Sequence, residues 1–192
     1  MTNIKRICVF CSSSNIIADV YLKAAFELCN HIVKNHWDLV FGGANVGIMG
    51  KISRCVLHSN SKVIGVIPEN MIKAGIKSDS CSEVIITKTM RERKQKMEYL
   101  SDVFCILPGG FGTFEEMFEI ITLKQLGNHT KPVVIFNINH FFDELIKIFD
   151  KFYDERFAKR MFESLYYITD KIEDGIGYIK DYNQKSFPNK WY

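Results

Sequence analysis

The chain has 192 residues, 47% of them hydrophobic and 24% charged, and its formal net charge is +3. This apolar content is enough to form a buried core and excludes an intrinsically disordered chain, while the small, dispersed charge does not favour a nucleic acid or an anionic membrane as a partner. No apolar run approaches the ~20 residues that span a bilayer, and the apolar stretch near the N-terminus is too short for a signal peptide, so we expect one cytoplasmic domain over residues 1–192.

Apolar segments of strand length alternate with segments of helical periodicity along the chain. In chain order, the predicted elements are a strand at 4–11, a helix at 18–35, a strand at 37–41, a helix from a glycine-rich loop to about residue 58, strands at 62–67 and 84–87, a helix at 90–100, a strand at 103–107, a helix at 114–126 and a strand at 132–136. Because the strands lack in-and-out alternation, we predict an α/β fold with a Rossmann-like, doubly wound parallel sheet and helices on both faces. Ligands of such sheets bind at the C-terminal ends of the strands.

Three further predictions concern the first helix, the loop before residue 82 and the C-terminal part. The first helix is predicted to carry Leu22, Phe26, Cys29 and Val33 on one face. The polar stretch that ends at residue 82 is predicted to hold a loop, and the part after residue 136 to be mostly helical. That last part contains aromatic and aliphatic residues at helical spacing, which fit either the core or a subunit interface: Phe142, Leu145, Phe149, Phe152 and Tyr153.

The six cysteines raise the question of a disulfide or zinc site, which their positions do not favour. Cys8 and Cys11 have CxxC spacing but lie in a predicted strand, where residues three apart point to opposite faces. The other four are isolated among apolar residues, and the five histidines lack the spacing of a metal site: Cys29, Cys55, Cys81 and Cys105. We therefore predict buried, reduced thiols and no metal.

A glycine-rich turn at 108–116 joins a predicted strand to a predicted helix. Such a turn leaves backbone N–H groups unpaired at the positive end of the helix dipole, where phosphate binds, and Glu116 follows about one helical turn later. The structural alternative is a capping box from Thr113 to Glu116, in which the glutamate closes on the cap N–H. A second glycine-rich loop, at 42–50, matches neither Walker A nor the dinucleotide fingerprint, so it is either a tight turn with close helix packing or a turn near the ligand.

The helix predicted at 90–100 places Met90, Arg93, Lys94 and Met97 on one stripe, at offsets of zero, three, four and seven. Two cations among inward-facing methionines imply an anionic ligand or a carboxylate partner, because an unpaired buried charge is unstable. The alternative is a basic helix face whose long stems lie along apolar surface.

These motifs together resemble one family. A Pro-Gly-Gly-x-Gly-Thr-x-x-Glu turn that follows a Met-x-x-Arg-Lys segment is similar to the Lonely Guy (LOG) family of cytokinin riboside 5′-monophosphate phosphoribohydrolases, which often carry the label of possible lysine decarboxylases. The segments at 9–14 and 41–50 resemble the first and second strand loops of that family. Three positions depart from its pattern: Arg91 replaces a common histidine, Ala44 replaces a glycine, and Gly75 aligns with a substrate-contacting glutamate.

The resemblance implies hydrolysis of the N-ribosidic bond of a purine nucleoside 5′-monophosphate, with Arg93 and Glu116 as catalytic residues. It implies substrate contacts at nine further positions: Lys94, Gly109, Gly110, Phe111, Gly112, Thr113, Phe114, Glu115 and Thr122. We add three positions as further candidates for substrate contact: Ser13, Gly43 and Met90. The implied products are a free base and ribose 5-phosphate, and no cofactor is needed. The base, adenine or an N6-prenylated adenine, is left open.

The resemblance also implies a homodimer with active sites near the interface. A different class of function remains as an alternative, a nucleotide- or molybdopterin-binding carrier or sensor on the same fold. The presence of both Arg93 and Glu116 favours the enzyme, because a pure binder needs the glycines but not the acid. A true lysine decarboxylase is not favoured, since the sequence carries no pyridoxal-phosphate signature.

Overall fold

The computed structural model describes residues 4–184, and within them seven parallel strands form one sheet in the order β4-β3-β2-β1-β5-β6-β7. The strands are β1 (Arg6–Phe10), β2 (Asp38–Phe41), β3 (Val63–Pro68), β4 (Glu83–Thr87), β5 (Val103–Ile106), β6 (Val133–Phe136) and β7 (Tyr167–Thr169). The predicted fold class is confirmed, and six of these strands lie within two residues of their predicted ends. The short edge strand β7 lies in the part predicted as mostly helical, so that prediction was incomplete.

The helices are α1 (Asp19–Lys34), α2 (Gly47–Leu57), α3 (Glu69–Lys73), α4 (Met90–Leu100), α5 (Phe111–Gln125), α6 (Asp143–Asp154) and α7 (Ile172–Lys180), with short 3₁₀ helices at Ile138–His140 and Arg160–Leu165. The α3 helix lies in the stretch predicted as a loop, and that stretch is further tied to the second glycine-rich loop by an isolated bridge between Ala44 and Lys77. Over residues 4–184, no helix combines the length and the apolar character needed to cross a bilayer.

Both faces of the sheet are covered, as the apolar strands predicted. One buried cluster contains residues of α1, α2 and α7, and Val9 of β1 points into it. The other contains residues of α4, α5 and α6, and Phe10 points into that one. Three of the C-terminal residues with two possible roles, Phe142, Leu145 and Phe149, belong to this second core, whereas Phe152 is 37% exposed.

The strand order reverses at β1, and this reversal positions the site. From β1 the chain adds β2, β3 and β4 on one side, then returns to place β5 on the other side of β1, where Phe10 pairs with Ile106. The loops that leave β1 and β5 therefore diverge to opposite faces and open a crevice at the C-terminal edge of the sheet. The glycine-rich turn after β5 lies at this switch point.

The predicted face of the first helix was only partly right. Cys29 is buried, and Leu22 and Val33 are half-buried against the core, but Phe26 is 46% exposed. The buried positions of α1 are Ala24, Ala25, Leu28, Cys29 and Ile32. The prediction of a reduced thiol at Cys29 was wrong, because Cys29 forms a disulfide with Cys55 of α2.

The disulfide follows from the tertiary arrangement of α1 and α2. These helices lie side by side on one face of the sheet and bring two cysteines 26 positions apart to a Cα–Cα distance of 6.6 Å, within bonding range. The other four cysteines are free, with Cys8, Cys11 and Cys105 buried and Cys81 half-buried.

Candidate active site

The helix after the glycine-rich turn begins earlier than predicted. Gly110 is the residue before its first turn and makes no side-chain cap, so α5 starts at Phe111 and Thr113 is already inside the helix. The capping-box interpretation is therefore wrong. The first intrahelical bond of this turn runs from the Phe114 N–H to the Gly110 carbonyl at 3.2 Å, which leaves the N–H groups of the preceding three residues without a helical acceptor. Unpaired N–H groups at the positive end of a helix are suited to an anion.

Glu116 and Arg93 form a buried ion pair beside this helix terminus. Arg93 Nη1 donates to Glu116 Oε1 at 2.7 Å, and Arg93 Nε donates to the carbonyl of Val66 at 3.1 Å. The arginine is 6% exposed and the glutamate 8%. A carboxylate partner for the inward cation of α4 was one of the two outcomes predicted from the stripe, and Glu116 is that partner.

The protonation of Glu116 is set by two opposing influences. Burial raises the pKa of Glu116 above its ordinary value, and the Arg93 guanidinium opposes that rise without cancelling it. Burial also raises the pKa of the neighbouring Cys11 thiol far above its usual range, and the Glu116 charge adds to the effect. Cys11 is therefore a neutral thiol, which excludes it as a nucleophile at physiological pH.

A cleft of about 190 Å³ opens above the ion pair at the switch point. One side of it carries Arg93, Glu116 and the start of α5. The other side is largely apolar and includes Val9 of β1 and Cys11, which follows β1. Methionines from three helices complete the apolar side: Met49, Met71, Met90 and Met97.

The two strand loops that border the cleft are locked together. The N–H of Ile48 donates to the carbonyl of Ser12 at 3.0 Å, and the N–H of Gly47 donates to Asn15 Oδ1 at 2.8 Å. These bonds attach the loop after β1 to the start of α2 and place Ser13 on the cleft wall.

Eight of the residues predicted for the site line this cleft: Ser13, Met90, Arg93, Gly110, Gly112, Thr113, Glu115 and Glu116. Two glycines lie just behind the wall. A Cβ on Gly109 would come within 2.2 Å of Thr113 Oγ1, and Gly43, at φ +73°, would meet Ile67 at 2.9 Å. Both glycines therefore shape the loops around the cleft.

Four predicted contacts lie elsewhere in one copy of the chain. Lys94 bridges α4 to α5 through ion pairs with Glu115 and Glu119, the latter at 3.0 Å. The Phe111 side chain is 97% exposed, and Phe114 packs on Phe142 with ring centroids 5.5 Å apart. Thr122 lies further along α5, in a separate groove.

Sequence reasoning missed Gly42, Met49 and Met71 as residues of the cleft. The 42–50 motif indicated a loop near the ligand but not which of its residues face it. Met71 lies on α3, in the stretch predicted as a loop, where no periodic signal was available to place it.

Comparison with known proteins decides the family. A family model described as possible lysine decarboxylase matches residues 49–179. Cytokinin riboside 5′-monophosphate phosphoribohydrolase LOG2 of Arabidopsis thaliana is 46% identical over 154 residues, which cover 80% of this chain and 72% of the relative. The chain belongs to the Lonely Guy family. A second Arabidopsis member, LOG7, is 38% identical over 178 residues, 93% of this chain and 82% of LOG7.

Solved structures of more distant proteins share the architecture of this Lonely Guy chain. The molybdenum cofactor binding protein from Rippkaea orientalis superposes with a TM-score of 0.70 at 24% identity, covering 94% of this chain and 98% of the other. The molybdenum cofactor carrier protein of Chlamydomonas reinhardtii gives 0.70 at 21% identity, covering 93% and 97%. At these identities the likeness shows the fold alone.

Proposed function

We propose that this Lonely Guy protein hydrolyses the N-ribosidic bond of a purine nucleoside 5′-monophosphate, cytokinin riboside or adenosine monophosphate, to a free base and ribose 5-phosphate. The observation that carries the proposal is the Arg93–Glu116 ion pair, buried beside a cleft and next to a helix terminus with unpaired N–H groups. Relatives at 38–46% identity are named as phosphoribohydrolases of this kind.

The helix terminus binds the phosphate in this proposal. The N–H groups of residues 111–113 and the Thr113 hydroxyl surround an anion placed at the start of α5, and Gly110 and Gly112 leave open space there because a Cβ on either would meet nothing within 4 Å. The phosphate then acts as a handle whose binding energy holds the distant glycosidic bond beside Glu116.

Glu116 carries the chemistry. As the bond between C1′ and the base breaks, positive charge builds on the ribose, and the carboxylate stabilises it. A water molecule forms the new bond to C1′ and gives a proton to Glu116, while the base leaves with the bonding electron pair and takes up a proton from solvent. Glu116 then releases its proton to solvent, so one water molecule is consumed in each turnover. The raised pKa of Glu116 brings this carboxylate nearer the operating pH, which favours a general base. Arg93 holds the carboxylate in place.

The methionine wall receives the base. Thioether side chains adapt to flat and irregular apolar surfaces, so Met49, Met71, Met90 and Met97 suit a purine ring with or without an N6 substituent. A panel of nucleoside monophosphates, with and without an N6-prenyl group, measures which base is released fastest.

We further propose that the protein is a homodimer that pairs through the outer face of α5. A groove of about 290 Å³ runs between α5 and the end of α6, and aromatic residues rim it. Several large apolar side chains at or near this groove are exposed: Phe118 at 37%, Leu126 at 45%, Phe152 at 37% and Phe157 at 79%. Thr122 lies in the same groove, so a second copy seated there would bring Thr122 close to the interface.

The dimer is tested by light scattering at micromolar concentration. The wild type is expected at twice the mass of the chain, and Phe157→Glu is expected at a single mass because it places a charge in the apolar contact. A matched exposed substitution away from the groove, Tyr99→Glu, is expected to leave the mass unchanged. A monomeric wild type overturns the dimer.

We also propose a cytoplasmic location, with which the four free thiols agree: Cys8, Cys11, Cys81 and Cys105. The cytosol keeps most thiols reduced, so this proposal predicts that Cys29 and Cys55 are thiols in growing cells and pair on oxidation. Alkylation of intact cells, followed by mass spectrometry of the two peptides, measures it. A fully oxidised pair in growing cells contradicts the cytoplasmic location.

The enzyme is distinguished from a carrier by one assay. Incubation with AMP, followed by chromatography, is expected to yield adenine and ribose 5-phosphate in equal amounts. Binding of AMP without released base, together with retention of a molybdopterin-type cofactor, favours the carrier that shares this fold.

A further inference from the structure

The guanidinium of Arg93 lies against a position that has no side chain. A Cβ built on Gly42 would lie 2.1 Å from Arg93 Nη2, closer than real Cβ contacts come. It would also lie 3.2 Å from Arg93 Cζ and 3.1 Å from the sulfur of Met49, which are tight contacts. Gly42 follows the last residue of β2 and lines the cleft. The fork of Arg93 therefore occupies the space that any other residue at position 42 would fill.

The remaining edges of the fork are fixed by hydrogen bonds. Nε donates to Val66 of β3 and Nη1 donates to Glu116 of α5, so two of its three nitrogens are held at 3.1 and 2.7 Å. Because the guanidinium is planar and rigid, pushing Nη2 outward moves Nη1 off the carboxylate as well.

Turn geometry does not explain this glycine. The described glycines in the left-handed region are Gly43, Gly47, Gly75 and Gly127, and Gly42 is not among them. Its backbone conformation is open to any residue, whereas Gly43 beside it has φ +73°. The requirement at position 42 is space for the arginine.

We propose that Gly42 is a positioning residue whose missing side chain seats the Arg93 guanidinium against Glu116. The consequence for catalysis rests on the function proposed above, but the seating itself does not.

The charge on Glu116 reports the seating directly. The titratable groups that face Glu116 are Arg93 and Lys94 from α4, Glu115 from its own helix, and the thiols of Cys8 in β1 and of Cys11 just after β1. Arg93 is the cation in contact with the carboxylate, while Lys94 pairs with Glu115 and Glu119 instead. Displacing Arg93 leaves Glu116 buried beside neutral thiols and an acid, which raises its pKa further.

The test compares Gly42→Ala with two matched alanine substitutions. Gly175→Ala adds the same methyl group against buried Phe136, at 2.3 Å, on α7 rather than in the cleft, and Gly177→Ala adds it into open space. The first control shows what a core clash does, and the second shows what a methyl group alone does.

Three measurements separate the seating of Arg93 from the stability of the fold: the Glu116 pKa, the melting temperature and the kinetic constants with AMP. The carbon chemical shift of the Glu116 carboxyl, assigned by its loss in Glu116→Gln, is followed against pH without substrate. Gly42→Ala is expected to raise the Glu116 pKa by about one unit or more, while Gly175→Ala lowers the melting temperature and leaves that pKa at the wild-type value. With AMP, Gly42→Ala is expected to lower kcat about 100-fold with a smaller change in KM.

A double variant keeps the proposal open to refutation if Gly42→Ala folds poorly. Lysine lacks the branched fork, so Arg93→Lys relieves the clash, and Gly42→Ala with Arg93→Lys is expected to fold and to lose no more activity than Arg93→Lys alone. A double variant that fails to fold, or losses that multiply, overturn the proposal. An unchanged Glu116 pKa in Gly42→Ala also overturns it. A shifted pKa in a protein that never releases adenine upholds the seating and rejects the proposed hydrolase.

Discussion

The sheet carries a cavity at each end, and the two differ in how their polar groups are used. The cleft at the C-terminal edge is about 190 Å³ and contains the Arg93–Glu116 pair. The cavity at the N-terminal edge is larger, about 330 Å³, and is also rich in ionisable and hydrogen-bonding side chains: Asp102, Asn128, His129, Thr130, Lys131 and Tyr182. The cavity that contains the ion pair is therefore the smaller of these two.

At the N-terminal edge, polar groups are bonded to the backbone. Asp102 Oδ2 accepts the N–H groups of Lys5 and Arg6, both at 2.8 Å. Lys131 Nζ donates to the carbonyl of Glu98 at 2.6 Å, and the Tyr182 hydroxyl donates to that of Thr130 at 2.8 Å. These side chains close strand ends and loops, so their contribution is to stability.

At the C-terminal edge the comparable groups face the cleft. The start of α5 has unpaired N–H groups, and Glu116 is held by one arginine on the border of an apolar wall. A binding site is therefore recognised by polar groups that the fold positions but leaves available to a ligand. We expect substitutions at the C-terminal edge to change activity and substitutions at the N-terminal edge to change stability.

Glu116→Gln gives the largest expected effect. The amide keeps a hydrogen-bond acceptor for Arg93 but removes the negative charge, so we expect kcat to fall about 10³-fold while the protein stays folded. In the wild type, kcat/KM is expected to rise with pH as Glu116 ionises, with a midpoint above the ordinary glutamate value of 4.5 because burial raises the pKa. Initial rates with AMP from pH 4 to 9 measure both. A rate for Glu116→Gln near that of the wild type refutes the assignment of catalysis to the cleft at the C-terminal edge.

Reduction of the Cys29–Cys55 disulfide is expected to lower stability without changing the chemistry. The bond closes a loop with a sequence separation of 26 residues, and its loss is expected to destabilise the fold by about 3 kcal/mol, or roughly 10 °C in melting temperature. Thermal melting with and without a dithiol reductant measures it. The Cys29→Ser, Cys55→Ser double variant is the control, since its melting temperature should no longer respond to the reductant. A large fall in kcat on reduction contradicts the expectation that the disulfide contributes to stability and not to catalysis.

His129 tests the N-terminal edge by pH. Burial lowers its pKa to about 4, while its Nε2 donates to the Ile120 carbonyl and its Nδ1 accepts the Lys131 N–H. The unfolded chain takes up a proton near pH 6.5 and the folded chain does not, so stability present at neutral pH is lost as pH falls from about 6.5 towards 4. We expect a loss of about 1–2 kcal/mol between pH 7 and pH 5.

Urea unfolding at the two pH values measures that loss, and His129→Gln is the matched variant because it keeps hydrogen-bonding capacity without titrating in this range. Its stability is expected to depend less on pH, while its kcat/KM for AMP matches the wild type. If His129→Gln keeps its stability but loses most of its activity, a functional group lies at the N-terminal edge, and the contrast between the two edges is refuted.

Local patterns were sufficient to predict the elements nearest the site. The α4 helix has its predicted bounds, because Thr89 accepts the Glu92 N–H at 3.1 Å as an N-cap and Met97 sits on a regular apolar stripe. That periodicity also indicated that Arg93 faces inward. The start of α5 could not be placed, since a capping box and a glycine-rich helix start compete for the same residues and the sequence does not rank them.

What the sequence did not predict depends on distant partners. The β7 strand is three residues long and pairs at the sheet edge with β6 alone, so its local signal is weak. The Cys29–Cys55 bond requires knowledge of how α1 lies against α2. In the sequence, Gly42 is one glycine among several in its loop. The space that it leaves for the Arg93 guanidinium is evident only from the position of that side chain in the fold.

Lys94 gives the smallest expected effect and sharpens the border of the active cleft. Family resemblance assigns it a substrate contact, whereas in this structure Lys94 does not line the cleft and pairs with Glu115, which does, and with Glu119, which does not. An ion pair with exposed carboxylates contributes little, and one long-range charge assists phosphate binding modestly. We therefore expect Lys94→Gln to raise the KM for AMP about tenfold or less and to leave kcat nearly unchanged. Glu119→Gln is the matched variant, because it frees Lys94 from one carboxylate and is expected to lower KM slightly. If Lys94→Gln lowers kcat as much as Glu116→Gln does, the lysine contacts the reacting group in the bound state, and the edge of the active cleft extends across α4.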